Sequence, residues 1–191
     1  MNFDEEIAKK SFGSKVRYGI VHGNENVMFI KSGANGSKIS DKYLKMAKRL
    51  HERLGATVIC ASNPLEDRET DEETIREVIS KSGFTQFKMY FIGNSDGGYQ
   101  NLVLANRFPE TIKFLGISTS CNELSDFEKV IKKLPGVEKT FVYGTKDWQY
   151  KSLVPFLKGL QAEKLTLIEI DDADHEFHGR IDEFISLTDM L

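Results

Sequence analysis

Residues 89–100 read Met89-Tyr90-Phe91-Ile92-Gly93-Asn94-Ser95-Asp96-Gly97-Gly98-Tyr99-Gln100, and the rest of the chain is organised around them. An apolar run ends at Gly93, and a helical pattern begins after Ser95. Between them stands Gly-x-Ser-x-Gly, made by Gly93, Ser95 and Gly97, in the strand–turn–helix setting that gives such a motif meaning. A turn this sharp pushes the Ser95 side chain out above the edge of a sheet. The glycines let the incoming strand and outgoing helix pass closely, where a Cβ would clash. The free N–H groups and positive dipole end of the helix favour negative charge beside the serine. Three letters alone do not separate a reactive serine from a glycine-rich turn, so the flanking sequence has to decide.

Working outward, apolar runs alternate with amphipathic ones. Residues 1–14 are polar and predict a short helix or a loose arm. Residues 15–22 alternate as a half-exposed strand does, and residues 27–30 are continuously apolar, as in a buried strand. With a turn at residues 23–26, these two strands are expected to pair antiparallel. A helix follows over 43–54, with Tyr43, Leu44, Ala47, Leu50 and Leu54 on one side and Gly55 as its stop. Further strands are expected over 57–61, 87–92, 114–118, 140–144 and 165–170. Helices are expected over 72–80, from Ser95 to about 107, and over 124–134, 153–160 and 180–190. This is an α/β pattern, and it predicts a mostly parallel sheet covered by helices on both faces. Ligands bind such sheets at the loops that follow the strands.

Bulk composition narrows the function. A length of 191 residues suits one domain spanning 1–191, with a real core. Charged residues make up 29%, both signs are mixed along the chain, and the net charge is −3. That balance exerts no pull toward nucleic acid or an anionic membrane. Cys60 and Cys121 make no disulfide framework and are expected as buried, reduced thiols. The first residues, Met1-Asn2-Phe3-Asp4-Glu5-Glu6, are acidic and do not resemble a signal peptide. No apolar run approaches the roughly 18 residues that span a bilayer, so a soluble cytoplasmic protein is expected. No metal-ligand spacing, P-loop or dinucleotide fingerprint occurs, so neither a metal nor a cofactor is expected.

Three of the expected strand ends carry reactive residues, in the order Ser95, Asp147, His175. A serine hydroxyl is a poor nucleophile near neutral pH. It needs a base within hydrogen-bond reach, and the base needs an acid to fix its tautomer. In a parallel sheet all three loops lie on one edge. Ser…Asp…His is also the chain order expected of this motif in such a fold. His178 lies on the same loop as His175 and competes for the role. Asp96, Asp171, Asp172, Asp174 and Glu176 read as a solvated acidic rim, and His22 and His51 as solvated surface residues. Nothing beside Cys121 suggests an activated thiolate.

The chain resembles the α/β-hydrolase superfamily from about residue 15 to its end. The matching stretches are Gly93-Asn94-Ser95-Asp96-Gly97-Gly98, Phe108-Pro109-Glu110-Thr111-Ile112-Lys113, Gly144-Thr145-Lys146-Asp147 and Ala173-Asp174-His175-Glu176-Phe177. The resemblance implies Ser95 as nucleophile, His175 as general base and acid, and Asp147 as its orienting carboxylate. It favours His175 over His178. It also implies an oxyanion hole made of the backbone N–H of Asp96 and a second N–H, from Ala34, in the loop after the strand at 27–30. Ser32 and Asn35 of that loop, and Trp148 beside Asp147, are candidate substrate contacts; Trp148 serves equally well as a packed aromatic. Many members carry His-Gly where this chain has Ser32-Gly33. Cap domains are inserted where this chain has only residues 119–139, so no lid is expected. The first strand of the fuller family sheet is not evident, which implies about seven strands.

The expected function is a lidless serine hydrolase cleaving a small-molecule carboxylic ester or thioester through an acyl-enzyme. The alternatives are a non-catalytic ligand-binding protein of the same fold, or an acyltransferase or amidase on the same triad. The sequence names neither the substrate nor the oligomeric state.

Overall fold

Apolar runs and amphipathic stretches become strands and helices in turn. The computed structural model describes residues 2–11, 14–34, 38–64 and 67–191. Its elements are β1 (Glu5–Ser11), β2 (Ser14–Val21), β3 (Asn24–Lys31), α1 (Asp41–Leu54), β4 (Ala56–Ala61), α2 (Arg68–Lys81) and β5 (Lys88–Asn94). There follow α3 (Asp96–Ala105), β6 (Thr111–Ile117), α4 (Leu124–Lys132), β7 (Glu138–Gly144), α5 (Tyr150–Gly159), β8 (Leu165–Ile170) and α6 (Ile181–Ser186). A 3-10 turn, Leu187–Met190, takes the place of the last part of the expected terminal helix.

The strands form one sheet in the order β1-β2-β4-β3-β5-β6-β7-β8. From β4 through β3 to β8 every pairing is parallel, and β2 runs against both its neighbours. The central strands are buried on both faces, so successive side chains enter different cores. Phe29, Phe91, Phe114 and Phe141 join Ile75, Leu102, Phe127 and Leu157 on one face. Met28, Ile30, Ile92 and Val142 join Tyr43, Met46, Leu50 and Phe184 on the other. Helix α1 buries Tyr43, Met46, Ala47 and Leu50 and ends at Gly55, whose φ of 65° is left-handed. Helix α2 starts earlier than its apolar spacing predicts, because the Asp67 carboxylate accepts a hydrogen bond from the Thr70 N–H at 3.0 Å and caps it.

Two expectations at the N-terminal side need correction. Residues 5–11 are an eighth strand, neither helix nor arm. β1 pairs with β2 from Glu5↔Ile20 to Ser11↔Ser14. Its register alternates between half-buried and exposed residues, and Lys10 and Glu6 face out. An edge strand held by backbone bonds and guarded by charges leaves little hydrophobic signal in a sequence. The second correction concerns β2 and β3, which do not pair. β4 lies between them, antiparallel to β2 through Tyr18↔Ala61 and parallel to β3 through Met28↔Val58. The chain crosses beneath the start of β4: the Gly23 N–H donates to Thr57 Oγ1 at 3.0 Å and the Asn24 N–H to the Gly55 carbonyl at 2.7 Å. All six residues of β4 are buried, so it belongs inside the sheet.

Only α4 lies between β6 and β7, and among the described residues no cap domain is inserted there. Among the same residues no helix is long and apolar enough to cross a membrane.

Candidate active site

Ser95 follows β5 directly and has φ 54° and ψ −128°, a conformation that L residues rarely adopt. Strain of this kind persists only where the surroundings over-determine it. Here the Ser95 N–H donates to the Ile117 carbonyl at 2.9 Å, and the Ser95 carbonyl accepts from the N–H groups of Gly98 (3.0 Å) and Ser120 (3.1 Å). Two glycines make the turn passable. A Cβ on Gly93 would come within 2.4 Å of the Gly98 Cα, and one on Gly97 within 2.2 Å of the Ser32 carbonyl oxygen. Both glycines of the turn thus stand where a Cβ would clash with backbone.

The loops after β7 and β8 meet above this turn. The Thr145 N–H donates to the Ile170 carbonyl and the Lys146 N–H to the Ala173 carbonyl, both at 2.9 Å. Phe177, fully buried, anchors the second loop with its ring 5.5 Å from that of Phe184. His175 is thereby brought to Ser95: its Nε2 lies 2.8 Å from Ser95 Oγ. Its Nδ1 lies 3.0 Å and 3.1 Å from the two carboxylate oxygens of Asp147. The Asp147 side chain is fully buried and that of His175 is 15% exposed. Burial opposes ionisation of Asp147, but hydrogen bonds from His175 and from the Gln149 N–H (2.9 Å) outweigh it. Its carboxyl is held below the ordinary carboxylate range.

His178 points elsewhere: it is exposed and its Nδ1 meets Asp174 at 2.9 Å. The acidic rim is largely paired. Glu176 meets Lys42 at 3.1 Å, and Asp172 meets Lys146 at 2.9 Å. Of the other two histidines, His22 is exposed and pairs with Glu5, whereas His51 is half-buried with Nδ1 3.0 Å from the Ala56 carbonyl.

A cavity of about 450 Å³ opens beside the serine, and its walls include Ala34, Ser95, Asp96, Ser120, Trp148 and Gln149. A Cβ built on Gly33 would lie 3.2 Å from Ser95 Cβ, so the loop after β3 abuts the serine. Ser32 is buried and lines a second cavity of about 410 Å³, together with Ala34, Tyr43 and Glu176. Asn35 lies outside the described residues. Trp148 is 72% exposed, with its ring 5.4 Å from that of His175. It is not a core aromatic. Cys60 is buried as expected, whereas Cys121 is only half-buried and joins the cavity wall. Burial, then Glu123, pushes the Cys121 thiol up to about 11, so the cavity offers no thiolate at neutral pH. Among the described residues no group of three or more His, Cys, Asp or Glu could hold a metal ion.

The sequence reading missed Asn63, Ser120 and Gln149 on the same wall. Asn63 carried a signal, since it stands before Pro64 just past a strand end. Ser120 and Gln149 carried none beyond their nearness to Ser118 and Asp147.

No protein-family model matches this sequence, and no curated protein matches it. Solved structures do. Est1E from Butyrivibrio proteoclasticus superposes with a TM-score of 0.74 at 14% identity, over 97% of this chain and 96% of that one. An α/β serine hydrolase homologue from Coxiella burnetii gives 0.72 at 15%, over 98% and 97%. An α/β serine hydrolase without lid from Xanthomonas campestris gives 0.71 at 15%, over 97% and 92%. At these identities the likeness shows the fold, and this chain has the α/β-hydrolase fold.

Proposed function

We propose that the protein is a serine hydrolase that cleaves carboxylic esters or thioesters through an acyl-enzyme. One observation carries this reading: His175 bridges Ser95 and Asp147 through its two ring nitrogens, at 2.8 Å and 3.0 Å. A histidine packed for structure alone has no need of a strained serine on one side and a buried carboxylate on the other. The names of similar structures, which include serine hydrolases and an esterase domain from Rhodothermus marinus, support the same reaction class.

In this reading Ser95 Oγ attacks the substrate carbonyl while His175 Nε2 takes its proton. Asp147 accepts the Nδ1 proton, holds the tautomer and stabilises the imidazolium. The backbone N–H groups of Asp96 and Ala34 receive the oxyanion, at the start of α3 where the dipole favours negative charge. His175 then protonates the leaving alcohol or thiol, and the acyl group remains on Ser95. Water, deprotonated by His175, attacks that ester and releases the acid. Trp148, 72% exposed, forms an open wall for the substrate.

A fluorophosphonate probe at neutral pH tests the reading, with wild type beside Ser95→Ala and His175→Ala and the labelled peptide mapped by mass. Labelling confined to Ser95, and lost in both variants, is expected. A folded wild type that takes no label would replace this reading with that of a non-catalytic ligand-binding protein.

A further inference from the structure

Asn63 is 1% exposed and has no part in the triad, yet it stands between the two chain segments assigned above to the oxyanion hole. Its Nδ2 donates to the Ser32 carbonyl at 3.2 Å and to Asp96 Oδ2 at 3.1 Å. Ser32 precedes Gly33 and Ala34 on the loop after β3. Asp96 is the first residue of α3, immediately after the serine. One amide group thus spends both its protons tying together the donors' two segments, which are 62 residues apart at Ala34 and Asp96. Gln100, one turn along α3 and 1% exposed, completes the cluster: its Nε2 donates to Asn63 Oδ1 at 3.3 Å and to Asp96 Oδ2.

We propose that Asn63 is the positioning residue that sets the width of the oxyanion hole. This rests on the hydrolase reading above. Two N–H donors on separate segments stabilise a developing oxyanion only if the gap between them is held before the reaction begins. Gly97 lets the segments approach closely, since a Cβ there would come within 2.2 Å of the Ser32 carbonyl oxygen, and Asn63 limits how far they part. The cluster has a second consequence. A carboxylate adjoining a forming oxyanion opposes it electrostatically, and the amides of Asn63 and Gln100 tether that of Asp96.

The test uses hydrolysis of p-nitrophenyl acetate, inhibition by phenylboronic acid, and thermal melting, with wild type and Ser95→Ala as references. For Asn63→Ala, kcat is expected to fall about 10- to 100-fold while KM stays within about threefold, because a hole that is present but loose loses transition-state binding only. The boronate Ki, which reads the tetrahedral geometry, should rise by the factor by which kcat/KM falls. Asn63→Asp should be worse, since it sets two carboxylates together. Adding Asp96→Asn to it should recover part of the loss by restoring the amide–carboxylate tie with the partners exchanged. A folded Asn63→Ala with wild-type kcat would overturn the proposal, and so would a loss confined to KM with an unchanged boronate Ki. If Asn63→Ala does not fold, Asp96→Ala carries the test. It cuts one tie and keeps the backbone N–H, and the same split at smaller size is expected; an unchanged kcat overturns the proposal. A wild type without Ser95-dependent turnover would overturn the hydrolase reading and this inference with it. That outcome is recognisable because wild type and Ser95→Ala then behave alike.

Discussion

The molecule builds a carboxylate, a base and a hydroxyl into one cluster twice. At the strand ends, Asp147 meets His175 and His175 meets Ser95. Behind the loop that follows β3, Asp71 of α2 accepts from Lys31 of β3 and, at 2.9 Å, from the Tyr18 hydroxyl of β2. The parts are alike and the surroundings differ. Lys31 and Tyr18 are 1% and 0% exposed, and Asp71 is fully buried. All three side chains are linked through Asp71 and shut off from solvent, and burial pushes the Asp71 carboxyl above its usual range even beside a lysine. In the cluster at the strand ends, hydrogen bonding wins over burial and holds Asp147 low, and the serine faces a cavity of about 450 Å³. Burial of the hydroxyl end therefore separates a structural pin from a cluster open to a ligand. The pin also has a place in the design, since Lys31 immediately precedes Ser32 and holds the start of the loop that abuts Ser95.

This contrast can be broken at several points. Ser95→Ala should lower kcat by about 10⁵-fold or more, while stability changes by no more than about 0.5 kcal/mol; hydrolysis assays beside thermal melts check both. Asp147→Asn should cost about 10⁴-fold in kcat by favouring the wrong tautomer of His175. The same variant has a pH signature. Because the folded-state carboxyl is held below its ordinary value of 3.8, it stabilises the fold above that pH. That contribution is lost as pH falls through the lower folded value. Acid denaturation of wild type should therefore include a component below pH 3.8 that Asp147→Asn lacks.

At the pin the effects should move from activity to stability. Asp71→Ala leaves Lys31 buried without its counter-charge and should cost about 3–5 kcal/mol in denaturant unfolding. Tyr18→Phe, which removes one donor to Asp71, should cost about 1–2 kcal/mol with kcat nearly unchanged. Trp148→Ala should be the mildest, altering KM while stability stays within about 0.5 kcal/mol, because the ring is already in solvent.

Much of this was legible in the residues. The run from Phe91 to Gly93 and the three polar strand ends at Ser95, Asp147 and His175 follow from local pattern, and from β2 onward each expected strand and helix has its counterpart, with shifted ends at α2 and at the C-terminal helix. What escaped has a common cause. β1 is polar and held by backbone bonds, so its residues carry no hydrophobic period. The placement of β4 between β2 and β3 depends on which buried strand takes the centre, a competition between segments. Lys31 and Asp71, 40 residues apart, each look like an ordinary surface charge in sequence. Asn63 looks like the start of a loop.

The sequence by itself determined the alternation of elements, the sharp turn at Ser95 and the kinds of residue at each strand end, because these depend on side-chain period and on glycine within a few residues. Only the tertiary structure decided that Ser95 and His175, 80 residues apart, meet at 2.8 Å, that Asp71 neutralises Lys31, and that Asn63 bridges two loops. Those outcomes depend on distance and burial between segments that local pattern does not relate. They arise only when the sheet brings its strand ends together and excludes water from between them.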